Sequence, residues 1–93
     1  MNTQNVKTLI PTDLQKSFQT GRLLYCFVKY KGGMLRPPSL KFFYLDSTPL
    51  SKFIAVARGF SRADIKQVEF PERQTPITQE ELTAAFVDGR VVV

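Results

Sequence analysis

The chain has 93 residues, 43% of them hydrophobic, and thirteen Lys/Arg against eight Asp/Glu give a net charge of +5. That length supports one domain with a modest core and excludes two, and Val, Leu, Ile and Phe together number 29, too many for a disordered chain. There is no histidine and a single cysteine. An internal disulfide, a Cys/His zinc site within one chain and histidine acid–base chemistry are therefore excluded.

The charge is uneven. Residues 1–66 hold eleven cations against three carboxylates, while residues 67–93 hold Arg73 and Arg90 against five. Between Leu14 and Leu45 there are six cations, seven aromatic rings and no acid. The segment Met1 to Thr8 lacks an apolar signal core, and no apolar run approaches a membrane span. Cys26 lies in the apolar run Leu23 to Val28 and reads as a small buried hydrophobe. A cytoplasmic domain without a membrane anchor is expected, since a secreted domain this small usually leans on disulfides.

Residues 1–9 read as a flexible arm on a single domain spanning 1–93. Thr12 and Gln15 have the spacing of a capping box, Leu14 and Phe18 share a helical face, and Gly21 supplies the stop. Arg22 to Tyr30 is apolar on both faces and predicts a central strand. Gly32-Gly33 breaks it and Pro37-Pro38 stiffens a loop of about eight residues before a second strand, Ser39 to Asp46. The loop sequence Leu35 to Leu40 reads as a stiff turn in preference to a proline-reading ligand.

Thr48 and Pro49 open a second helix whose Leu50, Phe53, Ile54, Ala57 and Phe60 form one stripe. Ile65 to Phe70 predicts a third strand ended by Pro71, and Glu72 to Pro76 reads as a polar, flexible connector. Thr78-Gln79-Glu80-Glu81 is a capping box for a last helix, ended by Gly89, and Val91-Val92-Val93 predicts a terminal strand. Residues 13–24 and 81–92 share a helix–glycine–arginine–strand pattern, which common helix and strand grammar accounts for without a duplication.

The expected fold is α+β: a small, mainly antiparallel sheet of three to four strands with two or three helices packed on one face. The expected core is Leu24, Cys26, Val28, Phe53, Ile54, Ala57, Val68, Leu82 and Phe86. The scattered carboxylates and the absence of phosphate-loop or nucleophile-elbow patterns predict no enzyme, no metal and no cofactor.

The functional expectation is a small binding module that holds nucleic acid through a basic aromatic hairpin. Lys29, Lys31, Arg36 and Lys41 would meet phosphates, and Tyr30 and Tyr44 would stack on bases, if one sheet face stays open. The alternative is a protein–protein adaptor or inhibitor docking on an acidic protein surface, a role that small phage or mobile-element proteins also fill. Val91-Val92-Val93 at a sheet edge, with opposite charge at the two ends of the chain, adds an expected homodimer.

Overall fold

The computed structural model describes residues 10–31, 39–61 and 65–93. The arm of residues 1–9, the loop tip Met34-Leu35 and Arg36 lie outside the described residues. In chain order the elements are α1 (Thr12–Gln19), β1 (Leu23–Tyr30), β2 (Ser39–Leu45), α2 (Leu50–Ser61), β3 (Ile65–Glu69), α3 (Gln79–Val87) and β4 (Val91–Val92). The strands form one sheet in the order β3-β1-β2-β4. β1 pairs antiparallel with both β2 and β3, and β4 adds parallel to β2. The expected α+β fold, mainly antiparallel with β1 in the interior of the sheet, is the one that forms.

Adjacent strand residues point to opposite sides of a sheet, and here both sides are covered. Leu23, Tyr25 and Phe43 meet Leu14 of α1 with Leu82 and Ala85 of α3. Cys26, Val28, Tyr30 and Phe42 meet Phe53 and Ala57 of α2, joined by Val92. Two helices thus share one face and the third covers the other, giving three layers. Cys26, Val28, Phe53, Ala57 and Leu82 are buried as expected, while Leu24, Ile54, Val68 and Phe86 are only half-buried. Tyr25 and Phe43 join the buried set because a core under α1 and α3 receives them, and Tyr30, Phe42 and Val92 complete the core under α2.

Local signals explain most element ends, with two differences. Around α3 the capping box forms in full: Glu81 N–H donates to Thr78 Oγ1, and the Glu81 carboxylate accepts from Thr78 N–H, both at 3.1 Å. At α1 the helix begins with Thr12 itself, after Pro11, and no side chain caps it. Gln15 instead reaches across to α3 and donates to Gln79 Oε1 at 2.8 Å. Thr48 turns its hydroxyl back to accept from Leu45 N–H and closes the β2–α2 turn.

The two related segments end in the same geometry. Gly21 and Gly89 have φ of 73° and 78°, a conformation that side-chain-bearing residues adopt only with strain. Arg22 N–H reaches back to Ser17 O and Arg90 N–H to Ala85 O, each at 2.8 Å. Both are Schellman stops. Each unit then enters the sheet on an opposite side of β2, so that β4 runs antiparallel to β1.

Candidate functional site

The six sequence-selected residues do not converge on one open surface. Lys29 is ion-paired with Glu69 at 2.9 Å, both side chains being partly exposed. Tyr30 is only 6% exposed and donates its hydroxyl to Ala57 O at 3.1 Å, so its ring belongs to the core under α2. Lys31 is exposed just past β1, and Arg36 lies outside the described residues.

Lys41 is folded inward. Its ammonium lies 4.0 Å from the Tyr25 ring centroid and 3.0 Å from Glu81 Oε2, and its side chain is 23% exposed. Arg90 ties the same point of β2 to the α3–β4 turn, donating to Lys41 O while pairing with Asp88. These cations brace α3 against the sheet. The Glu81 carboxyl is held below its ordinary pKa, first by the Thr78 backbone hydrogen bond and then by Lys41. A carboxyl with a lowered folded pKa stabilises the fold above its unfolded value, about 4.3, and that contribution is lost as pH falls through the folded value. Acid unfolding should therefore begin with α3. The Glu81→Gln variant, which cannot titrate, should show a flatter stability–pH profile below about pH 4.5 in denaturant titrations.

Tyr44 has a different setting. On the α2 face its ring meets Phe53 at 5.8 Å and Phe70 at 6.0 Å, both edge to face. Phe70 also lies parallel to Phe53, with 6° between the planes and 5.9 Å between centroids. Burial is the main cause that raises the Tyr44 hydroxyl above its ordinary pKa. Phe53 is buried, but Phe70 is 50% exposed, and Leu50, one turn before Phe53 in α2, is 53% exposed. Lys52 and Arg58 are exposed on α2 and, at helical spacing, flank its buried stripe on opposite sides. Residues 47–63 carry no carboxylate. This apolar, basic-flanked patch escaped the sequence reading because Phe70 read as a strand residue. Only its packing on Phe53 joins it to α2.

A second feature lies at the outer edge of β1, near its start. The register that places Glu69 opposite Phe27 would place Pro71 opposite Tyr25. Proline has no N–H to give the ladder, so β3 stops and the chain turns away. The Gln74 side chain replaces it: Gln74 Nε2 donates to Tyr25 O and Gln74 Oε1 accepts from Tyr25 N–H, both at 3.0 Å. Thr75 N–H donates to the Tyr25 hydroxyl at 3.0 Å, and Thr75 Oγ1 lies 2.9 Å from the same oxygen. The connector expected to be flexible is fastened to β1. Gln74→Ala should leave the Tyr25 backbone pair unsatisfied, at a cost of about 1–3 kcal/mol. Amide exchange at Tyr25 should accelerate beyond the global change.

Cys26 is fully buried and burial pushes its thiol up to about 12, so it offers no accessible nucleophile. Among the described residues no group of three or more His, Cys, Asp or Glu could hold a metal, and no helix is long and apolar enough to cross a membrane. No family model, curated protein or solved structure matches the chain.

Proposed function

We propose that this chain is a non-catalytic protein-docking module whose partner meets the α2 side with a surface both apolar and acidic. The observation that carries the reading is the patch of Leu50 and Phe70, half-exposed beside buried Phe53 and flanked by Lys52 and Arg58. Exposed aromatic and aliphatic side chains on a firm base are what a partner needs as anchors. The α2 side of the rim is basic, with Lys52 and Arg58 and no carboxylate in residues 47–63, and so favours an acidic partner. Asp46 near Tyr44 and Glu72 after Phe70 confine that preference to α2. The hairpin reading has less support, because Lys29 and Lys41 are ion-paired and Tyr30 is buried.

We further propose a cytoplasmic protein that forms a homodimer through the outer edge of β4; the inner edge of β4 pairs with β2 in its own sheet, so a monomer is the competing state. Its function test is retention on immobilised chain after nuclease treatment, comparing the natural sequence with Phe70→Ser and with Lys52→Glu/Arg58→Glu. One stoichiometric protein partner, lost at least tenfold with either variant while the fold persists by circular dichroism, is expected. Recovery of nucleic acid bound with a steep salt dependence, unaffected by Phe70→Ser, would overturn it in favour of phosphate-driven binding. The dimer is tested by sedimentation of the intact chain and of a form lacking residues 91–93; two folded monomers at micromolar concentration would remove it.

A further inference from the structure

We infer that the outer edge of β1 at Leu23 is a docking site for an extended, uncharged peptide segment of a protein partner. The site is distinct from the α2 patch and lies at the start of β1, where the pairing with β3 has ended. In an antiparallel ladder, alternate residues turn their N–H and C=O to the same side. Tyr25 turns both groups outward to Gln74, so Leu23 turns both groups to the same outer side. The opposite side is consistent: Phe43 N–H goes to Arg90 O and Leu45 N–H to Thr48 Oγ1, which leaves Tyr44 facing β1. Among the described residues no strand or side chain takes the outward groups of Leu23.

A cavity of about 320 Å³ opens there, bounded by Phe18 and Gly21 on one side and by Gln74, Pro76 and Ile77 on the other. Two features make it suited to a strand. Its far wall is preformed, because Gln74 and Thr75 are already bonded to Tyr25. No residue lining it is ionisable, so a charged peptide side chain would lose water without gaining a partner.

The chemistry of the occupant follows. It runs antiparallel to β1, continuing the line that β3 abandons at Pro71. One residue exchanges both backbone hydrogen bonds with Leu23 and cannot be proline. Its side chain falls on the α1 face, beside Phe18 and Ile77, and is apolar. Gln74, standing where the next pairing residue would be, limits recognition to the residue at Leu23 and its immediate neighbours.

The test uses the full chain as bait for a displayed library of random nonapeptides, with the recovered peptide synthesised as the probe. Amide shifts at Gly21, Leu23 and Gln74 are expected on titration. Methylating the nitrogen of the Leu23-pairing residue should weaken binding at least tenfold, whereas methylating the next nitrogen, which points away from β1, should change it less than threefold. Ile77→Lys should also weaken binding tenfold, with its thermal unfolding checked in parallel. Recovery of no peptide, equal effects of the two methylations, or shifts confined to Leu50 and Phe70 would overturn the inference. The last result would leave the α2 docking reading intact, so the two proposals fail separately.

Discussion

Phe42→Ala should remove a large fraction of the stability of this protein. Phe42 is fully buried in the α2-side core with Cys26, Val28, Phe53 and Val92. Truncating a buried phenylalanine costs about 3–5 kcal/mol from lost transfer energy and the cavity left behind. A domain of this size has roughly 5–14 kcal/mol in total. The melting temperature should fall on the order of 20 °C, measurable by circular dichroism. The second core should go with it. Tyr25 and Cys26 are adjacent in β1 yet serve opposite faces, as do Phe42 and Phe43 in β2. Amide protection should therefore fall in α1 and α3 together with α2. Retained protection in α1 and α3, with loss confined to α2, would show that the two cores fold independently.

Leu82→Ala probes the opposite face and should cost about 2–5 kcal/mol. Leu82 is fully buried among Leu14, Leu23, Phe43 and Ala85, and it lies within the turn that Thr78 and Glu81 cap. The capping box and the Lys41–Glu81 pair remain in the variant, so the loss isolates packing from electrostatics. A urea titration should show a lower midpoint with an unchanged slope. A loss below about 1 kcal/mol would mean that α3 is held chiefly by its polar contacts, and the effect of Glu81→Gln at neutral pH would then exceed it.

The two variants together bear on the proposed function. The α2 patch stands on Phe53, which packs in the same core as Phe42. The groove at Leu23 stands on the core that contains Leu82. Docking at either place needs its own face intact, and both faces share β1 and β2. Phe70 and Leu50 can be changed with much less effect on the fold, because half of each side chain is already in water.

Features of short range were legible in the amino-acid order. The apolar stripe of α2, the Thr78–Glu81 cap, the Gly21 and Gly89 stops and the apolar runs of β1 and β2 each depend on residues a few positions apart. The α+β class followed from them.

Tertiary structure decided which of these faces meet water. Tyr30 finds Ala57, Lys41 finds Glu81, and Tyr25 finds Gln74 across separations of 27, 40 and 49 residues. No local periodicity carries that information, because a strand apolar on both faces is equally compatible with one covered side or two. Once α2 packed opposite α1 and α3, most of the aromatic hairpin became core, and Lys29 and Lys41 became braces for the sheet. Phe70 was left half-exposed by the same packing. Pro71 had ended β3 beside it, and the free end of β1 passed to a glutamine side chain. Sequence determined which elements form, through bonds and steric limits within a turn or a strand; burial determined which side chains remain available to a partner, through packing between segments far apart in the chain.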